Sequence, residues 1–150
     1  MSIKEQIMND LKHYMKEKNI AGLNAIRLLR AEIKNVEIEK KRELSDEEII
    51  QIVSSSIKKR KESIEMYKKG SRQDLVDKEM EEIKIIEKYL PAQLSDDEIR
   101  RIIFEAIDEQ SEENKKNFGV IMKKVMEKIK NRAEGSKVNK LVKEIVDGIK

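Results

Sequence analysis

The stretch YLPAQLSDDEI at residues 89–99 decides the fold, because it ends one helix and begins another. Pro91 disfavours helical backbone at the residue before it. Ser95 and Glu98 have the spacing of a capping box, in which each side chain accepts a hydrogen bond from the backbone N–H of the other residue. The sequence therefore predicts a break between two groups of helices at this point.

The same capping pattern occurs earlier in the chain, in LSDEEI at residues 44–49. There Ser45 and Glu48 have the spacing of a second capping box, which predicts the start of a long helix. The sequences beyond the two hexamers do not match. We therefore interpret the similarity as convergence on capping rather than as an internal repeat.

Apolar residues recur at helical spacing through nearly the whole chain. Of the 150 residues 42% are charged, and only 5 are Gly and 1 is Pro, a composition that favours helices. We predict an all-α fold in two parts, a four-helix N-terminal domain at residues 1–91 and a three-helix C-terminal domain at residues 92–150. The N-terminal helices are predicted to begin near Ser2, Leu23, Ser45 and Ser71 and to end near Asn19, Lys41, Gly70 and Tyr89.

Positive charge is concentrated at the C-terminal end. Residues 115–150 contain 11 Lys and Arg against 4 Asp and Glu, a net charge of +7, whereas residues 1–114 carry −4. These charges interrupt two apolar-periodic stretches, residues 117–129 and 137–149. The pattern predicts a basic helical hairpin, and residues 115–150 are called the basic hairpin below.

The candidate binding residues are the cations that flank the apolar rows of the basic hairpin. They are Lys115, Lys116, Lys123, Lys124, Lys128, Lys130, Arg132, Lys137, Lys140 and Lys143. A second candidate patch is the basic run Lys58, Lys59, Arg60 and Lys61, whose charges point around a full helical turn.

Nucleic acid, a membrane surface and an acidic protein all fit a basic surface. Phe118 is the only aromatic residue of the basic hairpin, and its spacing places it on the apolar row, so a platform for stacking single-stranded bases is disfavoured. Large apolar residues of the kind that interfacial membrane helices use are scarce. Structured RNA, recognised through its backbone and shape, fits better. A protein-interaction module with no direct RNA contact is the alternative.

Catalytic constellations are missing from the sequence. His13 is the only imidazole and is expected at the surface, Cys is absent, and no glycine-rich phosphate loop occurs. Ser55 and Lys58 have the S-x-x-K spacing of some acyl enzymes but lack the companion motifs. We predict no catalytic residue, no metal and no cofactor.

The absence of Cys and of any long apolar segment also bears on location. No disulfide can form, and no stretch approaches the roughly 18 apolar residues that span a bilayer. We expect a cytoplasmic protein without a membrane partner.

Ordered motifs along nearly the whole chain resemble the YqeY family. They are LLRAEIKN at 28–35, KRKESIEMY at 59–67, residues 70–75, residues 79–94 with Tyr89-Leu90-Pro91, GVIM at 119–122 and NRAEG at 131–135. Between the two helices of the basic hairpin, members of the family usually have Gly-Arg-Ala-Asp-Gly, whereas this chain has Asn131 in place of the first Gly and Glu134 in place of Asp. Asn tolerates left-handed backbone, so we expect the turn to survive.

The resemblance implies a function as well as a fold. The family is similar to the C-terminal tail of the B subunit of glutamine-dependent aspartyl/glutamyl-tRNA amidotransferase, a two-part helical module that helps to hold tRNA. It therefore implies tRNA as a partner, and an amidotransferase or an aminoacyl-tRNA synthetase as a further one. It also implies a carbon–nitrogen ligase label with glutamine as amido donor by descent, in an accessory role without an active site in this chain.

Overall fold

The computed structural model describes residues 1–149, which form seven α-helices and no β-strand. The helices are α1 (Ile3–Glu17), α2 (Ile20–Lys40), α3 (Asp46–Lys69), α4 (Gln73–Ile86), α5 (Asp96–Asp108), α6 (Phe118–Ile129) and α7 (Gly135–Asp147), with a 3₁₀ turn at Glu87–Tyr89 after α4. The predicted all-α fold is confirmed.

The chain divides into two compact units, an N-terminal unit (Met1–Leu90) and a C-terminal unit that begins at Pro91. Each has its own apolar interior, built by α1–α4 in the first and by α5–α7 in the second. That the units are separate folding domains stays a prediction.

Reciprocal capping boxes begin three helices. The Ser45 hydroxyl accepts from the Glu48 N–H at 3.3 Å, and the Glu48 carboxylate accepts from the Ser45 N–H at 3.2 Å. Ser95 and Glu98 repeat the arrangement, and so does Ser2 at the start of α1. The capping predictions are therefore confirmed.

Helix α2 begins three residues earlier than predicted, at Ile20 rather than at Leu23. The Asn19 side chain accepts a hydrogen bond from the Gly22 N–H at 2.9 Å and so caps the helix. Gly22 lies inside α2 because the Tyr14 ring packs against it, where an added Cβ would come within 2.5 Å of the ring. Gly22 is a site of close packing and not a helix stop.

The end of α3 also differs from expectation. Gly70 has a right-handed φ of −86°, and the next residue, Ser71, takes the left-handed conformation with φ 57°. The helix ends where predicted, but the left-handed residue is one position later.

The interior of the N-terminal unit is aliphatic. Helix α4 packs against α2 and α3, and α1 packs against α2. The side chains of Ile26, Leu29, Ile49, Val53 and Ile86 are almost completely removed from solvent. Because these apolar residues recur at helical spacing, their burial fixes the rotation of each helix about its own axis.

An ion pair crosses this interior between α3 and α4. The Arg60 side chain is 8% exposed, and its Nη1 donates to Glu82 at 2.9 Å and to Glu79 at 3.1 Å. The Glu82 side chain is 6% exposed. Both charges are therefore desolvated and depend on each other for compensation.

The C-terminal unit is a three-helix bundle. Ile99 and Ile103 of α5, Ile121 and Val125 of α6, and Val138 of α7 are fully buried in it. The Leu94 N–H donates to the Arg132 carbonyl at 2.7 Å, which ties the start of the unit to the link between α6 and α7.

At the end of α4, Asp10 of α1 accepts hydrogen bonds from the Tyr89 hydroxyl and from Lys88 Nζ, the latter at 2.9 Å. Burial raises the pKa of Tyr89, and the hydrogen bond to the Asp10 carboxylate raises it further. The hydroxyl is therefore kept protonated in the folded state.

Replacing Arg60 with Met should destabilise the chain by about 3–5 kcal/mol, because it leaves the Glu82 carboxylate buried without its counter-ion. Urea unfolding followed by circular dichroism measures this change. Combining Arg60→Met with Glu82→Leu should recover most of the loss.

The matched control is Arg72→Met, which removes an exposed pair with Asp74 and should change stability little. Equal losses for the Arg60 and Arg72 variants would contradict the role given to the buried pair.

Tyr89 should titrate differently from an ordinary tyrosine. Because its pKa is raised in the folded state, the stability it contributes is present below about pH 10 and is lost as the pH rises through the folded pKa. Ultraviolet absorbance between about pH 9 and 11 should therefore show the same tyrosinate increase for the wild type and for Tyr89→Phe while both stay folded. One additional tyrosinate in the wild type would contradict the assignment.

Candidate nucleic-acid interface

The basic hairpin is built on α6 and α7. Ile121, Val125 and Ile129 of α6 face Val138 and Val142 of α7 in the interior of the C-terminal unit. Phe118 packs half-buried against the same interior, as predicted, so its ring is not a free stacking surface. The lysines between the apolar positions consequently lie on the outer side of the hairpin.

Much of the hairpin's charge is balanced within its own unit. Residues 91–114 carry 8 Asp and Glu against 2 Lys and Arg, so from Pro91 to the end of the chain there are 13 basic and 12 acidic residues. The excess of +7 is therefore a property of the hairpin's sequence and not of the whole C-terminal unit.

Four of the predicted lysines are held in ion pairs. They are Lys115 with Glu112 at 3.0 Å, Lys124 with Glu127 at 3.8 Å, Lys128 with Glu109 at 2.7 Å, and Lys137 with Asp96 at 2.5 Å. The hydrogen bond from Lys137 lowers the pKa of Asp96, and the one to Glu109 raises the pKa of Lys128. These lysines already have acidic partners, so they are weaker candidates for a phosphate group.

Arg132 has a structural role. Its guanidinium donates to the carbonyl oxygens of Ile129 at 2.8 Å and Lys128 at 2.9 Å, and so satisfies the last turn of α6. The neighbouring Asn131 has φ 64°, which confirms the expected left-handed conformation.

Five predicted lysines remain exposed and make no ion pair within residues 1–149. They are Lys116, Lys123, Lys130, Lys140 and Lys143, and these five are called the free lysines of the basic hairpin. Helical spacing places Lys123 and Lys130 on one side of α6 and its C-cap, away from the buried row. It likewise places Lys140 and Lys143 together on the side of α7 away from its buried row.

The second candidate patch does not form one surface. Lys58, Lys59 and Lys61 are exposed, whereas Arg60 is buried in the ion pair with Glu82. Sequence reasoning missed this pair because its acidic partners are on another helix. Half-buried Glu32 lies near the same run: burial raises its pKa, and the charges of Lys59 and Arg60 act in the opposite direction.

Residues 1–149 contain no cluster of potential metal ligands. His13 is exposed, as expected, and its Nε2 lies 3.1 Å from Oε1 of Glu17. Among the described side chains, no three His, Cys, Asp or Glu residues are gathered closely enough to hold a metal ion. In the same part of the chain, no helix combines the length and apolar composition needed to cross a bilayer.

The YqeY family model, described as "Yqey-like protein", matches residues 4–146. The chain belongs to the YqeY family. The resemblance seen in the sequence motifs is thereby confirmed over nearly the whole length of the chain.

Two kinds of relative are similar to this YqeY-family chain. "Altered inheritance of mitochondria protein 41, mitochondrial" is 34% identical over 145 residues in Pyrenophora tritici-repentis, covering 94% of this chain and 79% of that protein. Its namesake in Kluyveromyces lactis is 39% identical over 87 residues, 57% of this chain and 47% of that protein. The E subunit of glutamyl-tRNA(Gln) amidotransferase from Sulfurisphaera tokodaii is 46% identical over 63 residues, 39% of this chain and 10% of that protein.

The last similarity supports the predicted relationship to tRNA amidotransferases. The chain spans only a small part of that amidotransferase protein and about half of the Kluyveromyces relative. The activities of those whole proteins therefore do not transfer directly to this chain.

The prediction of a cytoplasmic location is contradicted by the fungal relatives, which are named as mitochondrial proteins. It rested on the absence of Cys and of a long apolar segment. Those features argue against disulfides and a membrane span, but they do not distinguish one aqueous compartment from another. The prediction is wrong for this reason.

Proposed function

We propose that the chain is a non-catalytic accessory protein that binds tRNA through the free lysines of the basic hairpin. The observation that carries the proposal is the group of five exposed lysines that make no ion pair within residues 1–149, on a packed helical scaffold. The similarity to a protein named as part of a glutamyl-tRNA(Gln) amidotransferase supports tRNA as the ligand class.

Lysines on a rigid hairpin suit recognition of RNA by its backbone. Each ammonium contacts phosphate oxygens as a point charge, and such contacts position a structured RNA without reading its bases. The fixed separation of α6 and α7 would then select RNA by the spacing of its phosphates. Base stacking has no part in the proposal, because Phe118 packs against the interior.

The accessory role follows from the side chains available. Amide transfer requires an activated nucleophile or base, and the free lysines lie on an open surface without one. We infer that this chain holds or presents tRNA, and that any amide chemistry belongs to a partner.

Binding of tRNA should depend strongly on salt. With about five phosphate contacts, a plot of log affinity against log salt concentration should have a slope of roughly −3.5 to −4.5. Filter binding of labelled bulk tRNA over a series of KCl concentrations measures it. A flat plot, or no detectable binding at low salt, would contradict the proposal.

Reversing charge on the free lysines should weaken tRNA binding at least about tenfold, because repulsion replaces several phosphate contacts. The variant carries Lys123→Glu, Lys140→Glu and Lys143→Glu. Its helical circular dichroism should match the wild type, since all three side chains are exposed.

The matched control carries Lys12→Glu, Lys16→Glu and Lys78→Glu, three substitutions at exposed residues of the N-terminal unit. It changes the total charge by the same amount as the test variant. It should retain most of the tRNA affinity. An equal loss in both variants would mean that net charge, and not the basic hairpin, sets the affinity.

A further inference from the structure

Helix α2 carries aliphatic side chains on its outer face as well as on its inner face. The outer ones are Ile20, Leu28 and Ile38, which are 72%, 49% and 63% exposed. A helix at the surface of a monomer ordinarily has polar residues on the side opposite its core. Exposed apolar residues grouped on one element mark an interaction surface more often than singly scattered ones do.

Cations lie among these aliphatic residues. Arg27, Arg30 and Lys34 are exposed and make no ion pair within residues 1–149. Lys40 and Arg42, by contrast, are both bound to Glu48, at 2.7 and 2.8 Å. Two cations at the end of α2 are thus paired with one carboxylate, whereas the three along its outer face form no such pair within residues 1–149.

Two of the three acidic residues of α2 are held away from this face. Glu37 accepts from Lys4 Nζ at 2.6 Å and from the Leu44 N–H at 3.0 Å, which holds it against α1 and the start of α3. Glu32 is half-buried near Lys59. Exposed Glu39, near the C-terminal end of α2, points in nearly the same direction as Leu28. The outer face of α2 is therefore predominantly cationic and aliphatic, with three cations against one exposed carboxylate.

We propose that the α2 outer face, defined by Ile20, Arg27, Leu28, Arg30, Lys34 and Ile38, is a docking surface for an acidic amphipathic helix of a partner protein. The aliphatic side chains would pack against the apolar stripe of the partner, and the three cations would pair with carboxylates flanking that stripe. Exposed Ala31, midway along the face, allows a partner helix to approach closely.

An acidic helix fits this face better than RNA or a membrane does. Phosphate contacts use the cations alone and leave three exposed aliphatic side chains unexplained. A helix lying on a membrane places its apolar face opposite its basic face, whereas on α2 the exposed cations and the exposed aliphatic residues lie side by side, opposite the buried row. A partner that offers both apolar and acidic groups satisfies both kinds.

The dimensions of the face point to a weak complex. From Ile20 to Ile38 the helix rises about 27 Å, and a helix with its side chains is about 10 Å wide. Such a strip is smaller than a standard protein interface, so a transient complex in the micromolar range or weaker is expected. Complementary charge would then contribute most to the association rate and to partner choice.

The test uses the full chain labelled with ¹⁵N and a synthetic 21-residue helical peptide with a leucine stripe flanked by glutamates. Amide chemical shifts followed during titration should change along Ile20–Ile38, and the same peptide with lysines in place of the glutamates should produce no such change. No response to the acidic peptide up to millimolar concentration would overturn the proposal, and so would shifts centred on α6 and α7.

Two variants separate the two parts of the face. Arg27→Glu with Arg30→Glu and Lys34→Glu, or Leu28→Asn with Ile38→Asn, should each weaken peptide binding at least tenfold without loss of fold, since all five residues are exposed. Unchanged affinity in either variant would count against a combined cationic and apolar site.

Titration with tRNA distinguishes this proposal from the proposed function. Shifts on the basic hairpin alone would leave the α2 face to a protein partner, as proposed. Shifts on the α2 face with tRNA would make nucleic acid its occupant and overturn the docking proposal. If tRNA fails to bind anywhere while the acidic peptide still binds to α2, only the proposed function fails.

Discussion

Two interiors made of aliphatic side chains at helical spacing constrain everything else in this structure. In the N-terminal unit Ile26 and Leu29 are buried on α2, and in the C-terminal unit Ile121 and Val125 are buried on α6. Because side chains three or four positions apart share one face, each row sets the rotation of its helix. The rotation in turn decides which charged residues face water, and the candidate surfaces are a consequence of it.

Charge is sorted largely inside each unit. The acids of α5 and of the loop after it pair with lysines of the basic hairpin, as Asp96 does with Lys137, so only some of the hairpin's charge remains for a ligand. In the N-terminal unit Glu48 pairs with Lys40 and Arg42 in the same way. Within residues 1–149, the exposed cations that make no ion pair include the five free lysines of the hairpin and three cations on α2. On this view the chain has two surfaces suited to different kinds of partner.

Local features of this fold can be predicted from sequence, whereas contacts between helices cannot. A capping box joins residues three positions apart, so Ser45 with Glu48 predicts a helix start directly. The left-handed backbone at Asn131 can be predicted in the same local way, because Asn tolerates that conformation. In the sequence Arg60 is simply part of a basic run, because the acids that pair with it are on α4. Gly22 likewise resembles a helix break, because the ring that packs against it is on α1. The same limit makes a charge count overestimate the free charge of the hairpin.

The central claim is that the outer side of the basic hairpin contacts RNA. Ultraviolet crosslinking of the chain to total cellular RNA, followed by peptide mapping and sequencing of the attached RNA, tests it most directly. We predict crosslinked peptides from α6, α7 and their flanking lysines, with tRNA as the main attached species. Crosslinks that map only to the N-terminal unit, or RNA in which tRNA is not enriched, would contradict the account.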